Sequence, residues 1–556
     1  MANLAPSKKK DMRIILYILI LLSAVNISCT SKKEADLVVY NAHIYTVDSA
    51  FSTAEAMAVK DGKIMAIGTK DDILGKYQGK EELNGDGQFI YPGFIDAHAH
   101  FVGYALGLAT VSLVGTESWD NIVDHLAGDI KDLAPGQWLI GRGWDQNDWA
   151  IKEFPNNEKL NQAFPDRPVL LTRVDGHAAI ANQKALDLAG VHAGFKLTGG
   201  EVEVKNNKLT GILIDNAVDL VTSFIPGPTA DNAKEMLLRA QSNCFSVGLT
   251  TLDDCGLDFT QVLFLDSLQK TGDLKMRIYA MLSDAKKNYE FAFSKGKIKT
   301  DLLDVRAFKV YADGALGSRG ACLLQPYSDK PGWSGFLLSN EEHFDSVAAL
   351  LSQKGFQMCT HAIGDSGNRT MLKIYAKYLK GKNDLRWRIE HAQVINENDF
   401  KLFGENNIVP SVQPTHATSD MYWATDRLGK ERVKGAYAYQ QLLKQNGWLP
   451  LGTDFPVEDI SPFKTFYAAV VRKDAKGYPD GGYQMENALS RREALCGMTI
   501  WAAKANFEEN EKGSLEPGKF ADFILLDKDI MKVDEKDLLG LRVRFTYVGG
   551  KKVYGE

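Results

Sequence analysis

The chain has 556 residues, 45% hydrophobic and 24% charged, a composition that supports a large folded core and excludes extended disorder. A formal net charge of −6 leaves no basic footprint, so nucleic acid is not expected as a partner. Six cysteines, at 29, 244, 255, 322, 359 and 496, lack CxxC spacing and are too few for a disulfide scaffold of this size, so buried free thiols are expected.

The N-terminus reads as a targeting segment. Lys8, Lys9, Lys10 and Arg13 precede an apolar run from Ile14 to Val25, short for a bilayer span but right for a signal-peptide core. Met12 is an alternative start, with Arg13 as its charge. Asn26-Ile27-Ser28-Cys29 ends the run. A small residue directly before a cysteine is similar to a bacterial lipoprotein cleavage site, which makes Cys29 the lipidated first mature residue; Asn26 departs from the usual aliphatic residue there. The expectation is an exported cell-envelope lipoprotein, on the periplasmic side or at the outer membrane and held by a lipid anchor, or otherwise a periplasmic protein.

After a polar linker, Thr30 to Ala35, short alternating runs predict strands at Leu37 to Tyr40, Ala42 to Val47, Ala56 to Val59 and Ile64 to Ile67, with Asp61-Gly62 as a hairpin turn. A similar unit closes the chain, with strands at Ala521 to Leu526, Val543 to Val548 and Lys552 to Tyr554. Neither end has enough strands to bury a core alone. The simplest arrangement joins 36–90 and 507–556 in one small β-sandwich, with 91–506 inserted between them.

That middle segment alternates strands and helices. Strands are predicted at Phe89 to Ile95, Leu249 to Leu252, Met276 to Met281, Ala307 to Tyr311, Gln357 to Thr360, Arg386 to Ile389, Ile408 to Val412 and Leu449 to Leu451. Helices are predicted at Ala230 to Phe245, Glu341 to Lys354, Gly367 to Leu379 and Asn396 to Phe403. The count is that of an α/β fold, a (β/α)8 TIM-like barrel. A long interval at about 107–230, carrying Gly141-Arg142-Gly143-Trp144-Asp145 and Arg173-Val174-Asp175-Gly176-His177, reads as a subdomain inserted after the first barrel strand.

Chemistry in such barrels sits at the C-terminal ends of the strands. The first strand runs into His98-Ala99-His100, and alternate strand residues share a face, so two imidazoles aim the same way. The fourth carries Lys309 and then Asp313-Gly314, and the fifth ends in His361-Ala362-Ile363-Gly364-Asp365. The sixth ends in Glu390-His391, the seventh in Thr415-His416, and the eighth in Thr453-Asp454. Histidines with an aspartate converging on one cavity are ligands for zinc-like divalent ions.

These segments together resemble the metal-dependent amidohydrolase superfamily, and within it the amidohydrolase family 3 group, over nearly the whole chain from Ala35. The matching stretches are Tyr91 to His100, Lys309 to Arg319, His361 to Asp365, Arg388 to His391, Leu451 to Asp454 and Gly518 to Phe523. The resemblance implies a pair of ions, zinc foremost, with His98, His100 and Asp454 on one and His361 and His391 on the other. Lys309 would bridge them as a carbamate, since an ammonium has no lone pair to offer a cation; a one-ion site with a structural lysine is the alternative.

The implied reaction is hydrolysis of a non-peptide carbon–nitrogen bond in an amide, cyclic amide, N-formyl or N-acyl compound. Water activated by the metal attacks, with Asp454 as general base. His177 with Asp175, His416 and Arg319 are candidate substrate contacts, and Trp144, Trp149 and Trp423 candidate pocket walls. The partners expected are a small amide-type molecule and the membrane through the lipid anchor, with a homo-oligomer admitted. The alternatives are a metal-dependent esterase or lactonase on the same scaffold, and a non-catalytic ligand-binding lipoprotein whose metal site is structural.

Overall fold

The computed structural model describes residues 32–129, 134 and 136–555. The signal segment and Cys29 lie outside the described residues. None of the described helices is long and apolar enough to cross a membrane.

Seven consecutive parallel strands form the barrel: β1 (Phe94–Ala99), β2 (Leu249–Leu257), β3 (Arg277–Ser283), β4 (Leu303–Tyr311), β5 (Gln357–Ala362), β6 (Arg388–His391) and β7 (Val409–Ser411). β1 and β5 are buried along their whole length, as strands facing both a barrel interior and an outer ring of helices must be. The eighth position differs from the sequence expectation, because Leu449 to Leu451 forms only an isolated bridge between Leu451 and Val412. Pro450 has no N–H to donate to a ladder. Backbone bonds still close the ring, from Gly452 N to Val412 O at 3.0 Å and from Ala97 N to Leu451 O at 3.1 Å. Gly452 permits this closure, since a Cβ there would lie 2.5 Å from the backbone nitrogen of His98.

Helices follow the local chemistry of their ends. Glu341–Lys354 starts where the Asn340 side chain accepts from His343 N and stops at Gly355, whose φ is 70°. The helix expected from Asn396 begins only at Phe400 and runs to Glu405. Asn396 Oδ1 accepts from Asn398 N at 3.2 Å, and this local turn competes with the first helical turn.

Both chain ends enter one sandwich. A four-stranded sheet holds Lys33–Tyr40, Ala56–Lys60, Lys63–Gly68 and Tyr77–Asn84. A six-stranded sheet joins His43–Tyr45, Thr53–Ala54 and Phe89–Pro92 to Phe523–Leu526, Val543–Val548 and Lys551–Tyr554. The two ends meet where Phe523–Leu526 runs antiparallel to Phe89–Pro92. Leu37, Val39, Met57 and Val59 of one sheet bury against Ile44, Ile90, Phe523 and Leu525 of the other. Tyr77–Asn84, unmarked by any alternating apolar pattern, is a strand because it pairs in parallel with Lys33–Tyr40.

The interval after β1 folds as a six-stranded mixed sheet between Val111 and Asp215 with its own apolar core, in which Trp144 and Trp149 are buried. The same sheet sends the turn Val174 to His177 and the end of Lys208–Asp215 into the cavity at the barrel mouth.

Candidate metal centre

The cavity measures about 1030 Å³ and is walled by barrel loops and by the inserted sheet. At its floor the Asp454 carboxylate is ringed by imidazoles. Oδ1 lies 3.5 Å from His98 Nε2 and 3.2 Å from His100 Nε2, and Oδ2 lies 3.2 Å from His416 Nε2 and 4.0 Å from His391 Nδ1. Asp454 and His391 both hold positive φ, 64° and 71°, a conformation that non-glycine residues keep only where the surroundings enforce it.

Two of these rings are oriented from behind. His98 Nδ1–H donates to Glu390 Oε2 at 2.6 Å, and His100 Nδ1–H donates to the Cys255 carbonyl at 3.0 Å. A carbonyl only accepts, so the His100 tautomer follows, and in both rings the Nε2 lone pair faces the floor. Lys309 Nζ stands 3.1 Å from His98 Nε2 and is almost fully buried.

Burial pushes His98 down to about 4, with the Lys309 charge acting the same way. Burial likewise holds His361 and His391 well below the ordinary imidazole range, so they present neutral rings. Burial opposes the charge of Asp454, but His98, His100, His416 and His391 around it keep the carboxyl well below its usual range. Burial also opposes the charge of Lys309, and Cys255, Tyr311, Glu390 and Asp454 outweigh it, raising the amine.

His361 Nε2, His391 Nδ1 and Asp454 Oδ1 are buried with no hydrogen-bond partner among the described residues. Buried polar atoms are normally satisfied, and a nitrogen and oxygen donor set without cysteine is what zinc-like divalent ions take. These residues fit a metal ion. The geometric groups able to hold one are His98, His100 and Asp454, and His391, His416 and Asp454. The second group pairs His391 with His416, which shares the Asp454 carboxylate, while His361 lies edge-on beside His391 with ring centroids 4.5 Å apart.

His416 lies between Asp454 Oδ2 and Glu458 Oε1, at 3.2 and 3.1 Å. Burial opposes its charge, and the two carboxylates hold it well above the ordinary range. His177 lines the cavity beside His361, with Nδ1 held by Asp215 at 2.7 Å rather than by Asp175.

Arg319, expected as a substrate contact, pairs its guanidinium with Asp329 at 2.8 Å and is not among the cavity-lining groups. Trp144 and Trp149 belong to the core of the inserted sheet, and Trp423 alone of the three tryptophans lines the cavity.

Glu390 and Asp215 carry no role that the sequence alone assigns. Glu390 was within reach of the alternation rule, since Arg388 and Glu390 share the interior face of β6. Asp313 also acts here: its carboxylate accepts the N–H groups of Ile363, Gly364 and Cys322 at 2.8–2.9 Å, fixing the turn after His361.

A family model described as "Amidohydrolase family" matches residues 81–554. The protein LONG AFTER FAR-RED 3 of Arabidopsis thaliana is 34% identical over 542 residues, 94% of this chain and 92% of the relative. An N-substituted formamide deformylase of Arthrobacter pascens is 26% identical over 538 residues, 93% of this chain and 97% of the relative. Among solved structures, an uncharacterized metal-dependent hydrolase from Pyrococcus horikoshii OT3 superposes with a TM-score of 0.73 at 26% identity, covering 90% of this chain and 99% of that one.

Proposed function

This chain belongs to the amidohydrolase family, and on that premise we infer that it is a metal-dependent hydrolase of a carbon–nitrogen bond other than a peptide bond, in an amide, cyclic amide, N-formyl or N-acyl compound. One observation carries the reading: a buried carboxylate, Asp454, lies within 4.0 Å of four imidazoles at the floor of a large open cavity. A site that served structure alone would be closed, and cysteine-rich ligands are usual there. The Arthrobacter relative's name, a formamide deformylase, supports a small N-acyl group as the one removed.

His98, His100, His391, His416 and Asp454 are the residues that would hold the metal, with Lys309 and His361 beside them. A divalent ion bound there would supply a Lewis acid that polarises the substrate carbonyl and makes water nucleophilic near neutral pH. Asp454 accepts the proton that water gives up and passes it to the departing nitrogen, so that the C–N bond breaks toward a neutral amine. Burial opposes a charge on His177, but the Asp215 carboxylate at Nδ1 favours the charged form, and the ring donates Nε2–H to the substrate oxygen. The inserted sheet forms one wall of the cavity.

Purified protein reconstituted with zinc is tested on N-formyl and N-acetyl amines, with elemental analysis of bound metal. Release of amine by the wild type and its loss in Asp454→Asn, with unchanged near-UV circular dichroism, is the expected result. A chain that binds no metal after reconstitution sinks the reading. Retained turnover in Asp454→Asn removes that residue as the base.

The pattern of residues 1–29 supports an exported chain anchored through Cys29. Membrane fractionation of the full chain and of Cys29→Ser tests it: an anchored wild type moves to the soluble fraction on substitution, and an unchanged distribution rules the anchor out.

A further inference from the structure

Arginines in and around the cavity differ in what their guanidiniums touch. Arg173 is fully buried and bonded to Asp145, to Asp175 at 2.5 Å and to Gln146 at 2.9 Å. Arg319 and Arg427 share Asp329. Arg142 is the exception. Its one protein partner is the Val174 carbonyl, 3.2 Å from Nη2, and it forms no ion pair among the described residues. Its Nε is buried without a partner, although the side chain lines the cavity.

The backbone is built to aim this side chain. Register shifts between Arg142 and Trp144 where their strand pairs with Val169–Arg173, and Gly143 takes a φ of 110°, the kind of bulge that re-aims a side chain beside a site. On the facing turn, Gly176 has a φ of 74°, and a Cβ there would stand 3.4 Å from Arg142 Nη2. The acids nearby are engaged elsewhere: Asp175 with Arg173 and the His177 N–H, and Asp215 with His177 Nδ1. Asp175 and Asp454 act on this guanidinium only from a distance, and a guanidinium largely removed from water with no carboxylate bonded to it is unfavourable. A ligand that brings the counter-charge recovers that energy on binding, and a carboxylate matches the planar fork.

We propose that Arg142 recognises an anionic group on the substrate, so that the compound hydrolysed is an amide that also carries a carboxylate. This rests on the hydrolase reading for the reaction but not for the binding. The amide carbonyl faces Asp454 at the barrel floor, and the carboxylate reaches the free edge of Arg142 under the inserted sheet. The insertion thereby selects the substrate while the barrel performs the chemistry.

The test uses matched pairs, N-formyl and N-acetyl amino acids and the carboxamides of the same compounds. Binding to the metal-free full chain is measured by calorimetry, so that a carboxylate cannot bind through the metal. The wild type is expected to prefer the acid over its carboxamide by about tenfold or more, Arg142→Met to lose that preference, and Arg142→Lys to keep part of it. Matching thermal midpoints establish that both variants fold. A wild type without preference, or a preference that survives Arg142→Met, overturns the assignment. Turnover by zinc-loaded protein is read separately: no hydrolysis with the binding preference intact sinks the hydrolase reading alone, and hydrolysis without preference sinks only the role of Arg142.

Discussion

Glu390 Oε2 lies 2.6 Å from His98 Nδ1, and both side chains are fully buried. The carboxylate fixes the tautomer that turns His98 Nε2 toward Asp454. Replacing it by Gln keeps the shape but removes the charge that makes the ring a better donor. Metal affinity in Glu390→Gln is expected to fall about 10- to 100-fold, measured by competition with a chelator, while far-UV circular dichroism stays unchanged. An unaltered affinity would show that Glu390 serves Arg388 rather than His98.

Lys309 Nζ, 3.1 Å from His98 Nε2, occupies as an ammonium the lone pair that His98 would give a metal. Carbamylation replaces that donor with two oxygen acceptors and removes the conflict. Metal bound per chain should therefore rise when bicarbonate is added during reconstitution. The rise should vanish in Lys309→Met, which cannot take up carbon dioxide. Elemental analysis reads both; stoichiometry indifferent to bicarbonate and to the substitution leaves Lys309 as a structural lysine beside one ion.

Much of this site is visible in the linear sequence because barrel strands deliver side chains at their ends by simple alternation. His98 and His361 follow from that rule, whereas His391, next to the inward-facing Glu390, turns into the cavity only through its φ of 71°; the helix Glu341–Lys354 is marked by Asn340 and Gly355 at its ends. What spacing does not carry is who faces whom across the barrel. Glu390 and His98 are 292 residues apart, and His416 reaches Asp454 because a short helix, Pro414–Asp420, carries it inward past the end of β7. Arg142, within the Gly141-Arg142-Gly143-Trp144-Asp145 stretch, carries no role in the linear sequence for a related reason: only the bulge and the facing turn show where an arginine between two glycines points.

Asp522 closes the sandwich onto the barrel. Its carboxylate takes Arg277 Nε at 2.6 Å and Nη2 at 2.9 Å, and also accepts from Gly549 N at 2.7 Å. Both partners are almost fully buried, with side chains 3% and 5% exposed. Removing one side of such a pair leaves an uncompensated charge, and Asp522→Ala is expected to destabilise the protein by about 3–5 kcal/mol. Denaturant unfolding measures this, and metal content should be unchanged in the folded variant. A loss under about 1 kcal/mol would place this pair with exposed ion pairs.

The depressed His98 gives a pH test with a definite sign. Burial lowers it from 6.5 to about 4, so in acid the unfolded chain takes up a proton there before the folded chain does. Its contribution to stability is whole above pH 6.5 and is lost as pH falls toward 4. His98→Asn retains a donor for Glu390 but does not titrate. The stability gap between metal-free wild type and His98→Asn should therefore shrink by about 1.4 kcal/mol between pH 8 and pH 5.5, one unit below the unfolded value. Groups that titrate identically in the two proteins, including His416 and His177, whose shifts run the other way, cancel in the difference. Urea unfolding at each pH measures the gap, and a constant or widening gap would mean that the folded ring protonates near its ordinary value and is not held neutral for a metal.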